Sequence, residues 1–213
     1  MPRDERQKFR HTVKALHFLP DKAASLAGKS AFYQRLVDAI VTRHAVQIEY
    51  ASLTEWEKIA TKLRPYQLLF CRHSWCVVGR SSLHREVRVF NLARIESLTQ
   101  LGERFSVPKD FDLEKRLGNA WIMIRETGRD NHIVVKFGSL VAQNVAEVNW
   151  HKTQRTKFLP NGSMLFEATV SGLSEVAWWI LGYGDQAEVL RPAKLRRLIA
   201  GRVKRMAAMY END

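Results

Sequence analysis

Apolar residues recur along this chain first at helical spacing and then in alternation. From Ser30 onward, Phe32, Leu36, Ile40 and Val41 fall mostly at four-residue steps, which predicts an amphipathic helix. Residues 1–30 show that spacing only in part (Val13, Leu16, Phe18 and Leu19) before Pro20 breaks it, and Asp21 is placed to cap a short helix. The period then changes. Val46-Gln47-Ile48-Glu49-Tyr50 alternates apolar and polar, as a half-buried strand does. Lys58–Leu69 reads as a strand region interrupted by Pro65, and Ser74–Gly79 as a compact β-rich run. Glu86–Leu98 alternates again, with Arg88, Phe90, Leu92 and Arg94 on one face and Val87, Val89, Asn91 and Ala93 on the other. Short strands with no helix between them predict a small antiparallel barrel or rolled sheet.

A second block follows a connector over residues 99–130, in which Pro108 and the charged stretch Lys109–Arg116 suggest a loop and one helix. His132–Phe137 reads as a strand and Ser139–Val148 as a helix. Arg155–Phe158 and Met164–Val170 read as strands around Pro160-Asn161-Gly162-Ser163, whose Asn-Gly pair signals a hairpin. Leu173–Leu181 reads as a helix ending at Gly182 and Gly184, the residue type that helix C-caps favour. Ala187–Leu190 is a strand and Pro192–Tyr210 a final helix. The order βαββαβ plus a helix predicts a ferredoxin-like plan, and the whole chain an α+β protein.

Composition narrows the function. The 213 residues fit one large domain or two small ones, and 46% hydrophobic residues suffice for a core. The formal net charge of +12 is the footprint of a protein that meets phosphates, or less often a membrane surface. Two cysteines imply no disulfide framework. Cys71 and Cys76 flank His73, but positions five apart on one strand face opposite ways, and a structural zinc site needs four ligands. Neither a metal nor a cofactor is expected. The charged N-terminus lacks a signal-type apolar run, and Val176–Leu181 is far too short to span a bilayer, so a cytoplasmic protein without a membrane partner is expected. No G-x-S-x-G, H-E-x-x-H, G-x-G-x-x-G or P-loop pattern is present, and no nucleophile–base arrangement is evident. An enzyme is not expected, and no residue is assigned a catalytic role.

Several motifs resemble one family. Trp75-Cys76-Val77 sits where WYL-domain proteins carry the tripeptide that names them, differing at its second and third residues. Ile40-x-x-Arg43, Val46-x-Ile48-x-Tyr50 and Arg64-Pro65-x-x-Leu68 precede it, and Arg88-x-Phe90-x-Leu92-x-Arg94-Ile95 follows. Val134–Phe137, Trp150-His151-x-x-Gln154, Trp178-Trp179-Ile180-Leu181-x-x-Gly184 and Glu188-Val189-Leu190-x-Pro192-x-x-Leu195-Arg196 resemble the WCX extension. The resemblance implies a helical linker over residues 1–35, a small Sm-like WYL barrel over 36–105, a connector over 106–130 and a WCX domain over 131–213. It also implies a transcription regulator that senses single-stranded DNA or a nucleotide and acts as a homodimer. Such proteins read double-stranded DNA through a preceding helix-turn-helix domain. Only about thirty residues precede the Ser30 helix here, so either a piece of a longer regulator, which is favoured, or a protein working without its own reader is expected. A stand-alone RNA- or DNA-binding module and a ligand-free dimerisation module are the alternatives.

The candidate ligand contacts are arginine forks and planar groups. Arg64, Arg80, Arg85, Arg88 and Arg94, with Arg72, supply bidentate donors for phosphate and base edges. Tyr50, Tyr66, His73, Trp75 and His84 supply stacking or hydrogen-bonding groups, although Trp75 reads more readily as a core anchor. Arg88 and Arg94, sharing a face with Phe90 and Leu92, must either open onto a pocket or pair with carboxylates such as Glu49 or Glu96. In the last helix, Arg196 and Arg197 lead a basic row with no acidic residue from 191 to 206. That row is either a solvated face or a second ligand contact made at a partner subunit. Of Trp178 and Trp179, adjacent on a helix and so facing different ways, one is available to a dimer partner.

Overall fold

The computed structural model describes residues 28–52, 57–71, 73–126 and 128–211. The short helix expected around Pro20 and Asp21 and the side chain of Arg72 lie outside the described residues. The chain forms two units that meet in sequence at Lys109 and Asp110.

In the first unit the four-step row becomes helix α1 (Ser30–Thr42), and it buries Leu36 and Ala39 completely. No side chain caps its start. Two cations instead tie it to the sheet: Lys29, at its N-cap, donates to the carbonyl of Ile95, and Arg35, within it, to that of Leu98 at 3.1 Å. Arg43, left-handed at φ 58°, ends the helix by returning its N–H to the Ala39 carbonyl. The chain then enters β1 (His44–Ala51), which is followed by β2 (Lys58–Cys71), β3 (Ser74–Ser81), β4 (Val87–Asn91) and β5 (Ile95–Arg104). They form one antiparallel sheet in the order β4-β3-β2-β1-β5. The inward positions Val46, Ile48, Leu63, Val77, Phe90, Leu92, Ile95 and Leu98 make its core with α1.

Four expectations for this unit change. Pro65 does not interrupt β2. The strand runs through it, and the register shifts between Pro65 and Gln67, a bulge that accommodates a residue with no N–H to donate. Glu86–Leu98 is not one alternating strand. The Asn91 side chain accepts from Ala93 N at 2.9 Å and starts a 3₁₀ turn over Leu92–Arg94, which separates β4 from β5. Phe90 and Leu92 are therefore buried, Arg88 is exposed and Arg94 is half-buried. Cys71 and Cys76 are not on one strand facing apart. They sit on the two arms of the β2–β3 hairpin, where Leu69 pairs with Cys76 and Cys71 with Ser74, which puts both thiols on one sheet face. Burial pushes the Cys76 thiol up to about 11, with Cys71 adding to it. Finally, residues 99–104 belong to β5 rather than to the connector.

The second unit begins with α2 (Leu113–Leu117), whose start is capped by Asp112 accepting from Lys115 N at 3.0 Å. β6 (Asn131–Phe137), α3 (Ser139–Ala146), β7 (Arg155–Phe158), β8 (Met164–Val170), α4 (Ser174–Leu181), β9 (Ala187–Arg191) and α5 (Ala193–Ala208) follow. The strands form an antiparallel sheet in the order β7-β8-β6-β9. One face carries Ile133, Val135, Phe137, Phe166, Ala168 and Val189, buried in a cluster with Val176, Ala177 and Ile180 of α4 and Leu195 of α5. Trp179 lies at its aromatic centre, with ring centroids 4.7 Å from Trp121, 5.1 Å from Phe166 and 5.3 Å from Trp150. The expected hairpin turn forms. Asn161 Oδ1 accepts from Ser163 N at 3.1 Å, and Gly162 takes φ 78°. Gly182, however, stays right-handed at φ −64°, and the left-handed residue is Gly184, which opens a further 3₁₀ turn.

Two carboxylates fasten the segment before β6 to α4. Glu175, 6% exposed, accepts from the consecutive N–H groups of Ile122, Met123 and Ile124 at 2.8–3.1 Å. Glu126 answers it by accepting from the N–H groups of Leu173 and Ser174 and from the Ser174 hydroxyl, so it caps α4 from outside the helix. The Ser174 hydrogen bond, with its backbone companions, holds the Glu126 carboxyl below the ordinary carboxylate range. No helix among the described residues is long and apolar enough to cross a membrane.

Candidate functional site

The alternation of β2 places Lys62 and Arg64 on one face, and the register of β3 sets Arg80 opposite Arg64. Gly79 permits that closeness. A side chain there would collide with the Arg64 carbonyl oxygen, so only glycine lets β3 approach the bulge of β2. The turn after β3 is fixed by a chain of hydroxyls. Thr61 Oγ1 lies 2.8 Å from Ser81 Oγ and 3.3 Å from Ser82 Oγ, and Ser81 Oγ lies 2.9 Å from His84 Nδ1. Ser82 Oγ also accepts from Lys62 N at 3.1 Å. Arg85 follows in a left-handed conformation, φ 55°. Lys62, Arg64, Arg80, Ser81, Ser82 and Arg85 together line a cavity of about 250 Å³.

One carboxylate engages two of these four cations. Glu103 of β5 accepts from Lys62 Nζ at 2.6 Å and from Arg64 Nη2 at 2.9 Å. β1 lies between β2 and β5, so these contacts bridge two strand spacings, roughly 10 Å. The Lys62 hydrogen bond first, and the Arg64 one next, hold the Glu103 carboxyl below the usual range. The side chains of Arg80 and Arg85 are exposed and make no hydrogen bond or ion pair to a described residue. The arrangement can therefore bind an oxyanion: two open guanidinium forks, two partly engaged cations and serine hydroxyls converge on one opening.

Of the residues expected at a site, Arg64, Arg80 and Arg85 line this cavity, and His84 props its floor through Ser81. The others lie elsewhere. Tyr50 is buried, with its ring edge-on to Phe90 at 5.1 Å and its hydroxyl accepting from Asn91 N at 3.4 Å. Trp75 is wedged edge-on between Tyr33 and Phe70, at 5.0 and 5.2 Å. His73 sits exposed in the β2–β3 turn at φ 61°. Arg88 pairs with Glu86 at 2.7 Å rather than with Glu49 or Glu96, and Glu96 is taken by Lys58 at 2.6 Å. Arg94 lies in the 3₁₀ turn, close enough to lower the Cys76 thiol slightly. Arg196 and Arg197 belong to the second unit, where Arg196 donates to Glu188 and to the Val189 carbonyl at 3.1 and 2.8 Å. Arg197 is exposed.

Lys62, Ser81, Ser82 and Glu103 were not foreseen. Lys62 was within reach, because it alternates with Arg64 on the same strand. The serines and Glu103 come close only through the β2–β3 register and the passage of β5 beside β1, which no local pattern reveals. A larger cavity of about 460 Å³ lies on the second unit among His132, Lys152, Thr153, Gln154, Arg155, Glu167, Ala168 and Thr169. Its charges are mixed, with His132 Nε2 3.3 Å from Glu167, so it is the poorer anion site despite its size.

The WYL-domain family pattern matches residues 31–100, and the WCX-domain pattern matches residues 129–207. The chain carries a WYL domain and a WCX domain. Its WYL domain holds the cationic cavity, and its WCX domain the aromatic cluster. The chain is similar to "Protein PafB" of Mycobacterium leprae (strain TN), 26% identical over 176 residues that cover 81% of this chain and 52% of that protein. It thus spans about half the length of that relative. Among solved structures it is similar to a "CRISPR Cas-related protein", at TM-score 0.55 and 13% identity, covering 87% of this chain and 53% of that one, which shows a shared fold. It also matches "Proteasome accessory factor B/C (PafBC)" of Arthrobacter aurescens, at TM-score 0.39 and 19% identity, over 91% of this chain and 29% of that one. That overlap is too loose to bear on the fold.

Proposed function

We propose that this chain is the effector-sensing part of a transcription regulator. Its WYL domain takes a phosphate of a nucleic-acid ligand, with single-stranded DNA favoured over a free nucleotide. One observation carries this: Lys62, Arg64, Arg80 and Arg85 converge with Ser82 on a single cavity, while Arg80 and Arg85 remain open. The net charge of +12 supports a polyanionic partner over a neutral one. Binding rather than catalysis is the role, and an attached helix-turn-helix domain is the reader of double-stranded DNA.

The domain plan we adopt follows from the same features. The sheet order β4-β3-β2-β1-β5, with a 3₁₀ turn leading from one edge strand to the other, supports an Sm-like barrel. The order β7-β8-β6-β9 with its βαββαβ sequence supports a ferredoxin-like WCX domain. The packing of Phe32 and Tyr33 against the WYL core supports drawing that domain from Ser30 rather than from residue 36. The exposed Val203, Met206, Met209 and Tyr210 toward the end of the chain support a homodimer, which light scattering after size exclusion tests.

The binding test uses fluorescence anisotropy with a labelled 12-mer of single-stranded DNA. Arg80→Ala combined with Arg85→Ala should weaken binding roughly a hundredfold, since hydrogen bonds from charged groups are worth about 1.5–3 kcal/mol each. Unchanged binding by the double variant removes the cavity from the function. A passive nucleic-acid binder is the second reading. It would show affinity that rises with length and falls steeply with salt, without a defined stoichiometry.

A further inference from the structure

Two of the cations that line the WYL cavity are already engaged by a carboxylate. Glu103 makes short contacts with two of the four cations that line it, and it arrives from a strand that is not adjacent to theirs. We propose that Glu103 is an internal competitor for ligand phosphate, and that its displacement couples binding to the end of β5. The proposal rests on the reading of the cavity as a phosphate site and adds how occupancy is transmitted.

The geometry supports competition rather than simple bracing. Lys62 and Arg64 direct their donors at the carboxylate, so a phosphate entering among the lining residues must share those donors or take them. The carboxylate is charged at neutral pH, as the ligand phosphate is, because its two partners hold it below the usual carboxylate range. It therefore repels each phosphate that approaches. The contact is partly solvated, with the three side chains 37–43% exposed, which makes it exchangeable in a way that a buried pair is not.

Its place in the chain gives the exchange a consequence. Glu103 is the penultimate residue of β5, and the division between the two units falls six residues later, at Lys109. The end of β5 has other fastenings, and Phe105 just beyond it is buried. His44 pairs with Arg104, Phe105 N donates to the Arg43 carbonyl at 3.0 Å, and the Phe105 ring lies 6.0 Å from Tyr66. Releasing Glu103 loosens the strand where the chain leaves the WYL domain for the WCX domain. A ligand acts only through states it binds unequally, and Glu103-engaged and Glu103-released are two such states.

The experiment measures anisotropy of a 5′-labelled, 3′-phosphorylated oligothymidylate 12-mer and hydrogen exchange of the 98–106 segment, in the wild-type chain, Glu103→Gln, Glu103→Asp and Arg80→Ala. Glu103→Gln should bind roughly three- to tenfold tighter, the scale of removing one like charge at short range in a partly solvated site. Its 98–106 amides should exchange without ligand as fast as the wild type's do with it. Glu103→Asp, which keeps the charge, should not gain affinity. If Glu103→Gln binds no more tightly while Arg80→Ala binds more weakly, the competitor role is wrong and the phosphate cavity stands. If the wild type and Arg80→Ala bind alike, or neither binds, the cavity reading itself fails and the competitor role goes with it. Unchanged exchange at 98–106 in Glu103→Gln, alongside tighter binding, overturns the coupling.

Discussion

The two domains use their charges in opposite ways. In the WCX domain, carboxylates are consumed internally: Glu175 and Glu126 stitch the segment over residues 122–126 to helix α4 through backbone N–H groups. Two of its cations are occupied as well, Arg196 by Glu188 and Arg202 by the face of Trp178, 4.0 Å away. In the WYL domain, Arg80 and Arg85 stand open beside two cations that share one carboxylate. The density of basic residues therefore does not locate a binding site. The last helix has more arginine and lysine than the cavity does, and what distinguishes the cavity is that its donors converge on one opening.

The largest expected effect lies in the WCX domain. Glu175→Ala should destabilise it by about 3 kcal/mol, because three consecutive, partly buried N–H groups lose their acceptor. Glu175→Gln, which keeps one oxygen, should lose less. Urea unfolding followed by tryptophan fluorescence measures both, and oligonucleotide binding by the folded fraction should stay as it was. A loss of binding without loss of stability would break the division of labour between the domains. Next comes a comparison of basic pairs. Arg196→Ala with Arg197→Ala should change anisotropy-measured affinity by less than roughly threefold, against a much larger loss for Arg80 and Arg85. Comparable losses would extend the site to α5.

The smallest expected effect is on pH dependence. His151 is 8% exposed, stacked on Trp121 at 5.6 Å, with Nδ1 2.9 Å from the Thr153 hydroxyl. Burial lowers its pKa from the ordinary 6.5. The folded WCX domain thus prefers the neutral ring, and the unfolded chain takes up the proton first as pH falls. Stability is full above about 6.5 and declines as pH drops from there through the folded value. His151→Gln should flatten the thermal midpoint between pH 7.5 and 5.5. An equally steep decline in that variant assigns the effect to another group.

How much of this was legible depends on the range of the interaction involved. Helix α1, strand β1 and the βαββαβ order of the second block follow from period alone, because each buries one face. Asn161-Gly162 announced its turn for the same local reason. The sequence misled where one side chain overrides period. Asn91 starts a 3₁₀ turn inside an otherwise regular alternation, so Arg88 and Arg94 part company. Pro65 suggested a break because a bulge depends on the partner strand. In the cavity, the arginines were visible as residue types, but their convergence depends on register. Glu103 approaches across an intervening strand, a relation that carries no signature in spacing.

Gly79 gives the cavity a fixed gauge and an adjustable rim. Arg85 and its neighbours stand in a turn, where exchange of one side chain for another leaves the ladder intact. Position 79 offers no such latitude, since any side chain would wedge β3 away from Arg64. A designer who wants this fold to accept a different anion should vary Leu83 and Arg85, keep Ser82 and His84, which hold the turn, and leave 79 untouched. Selection for folded protein from a library at 79 should return glycine, whatever ligand is offered.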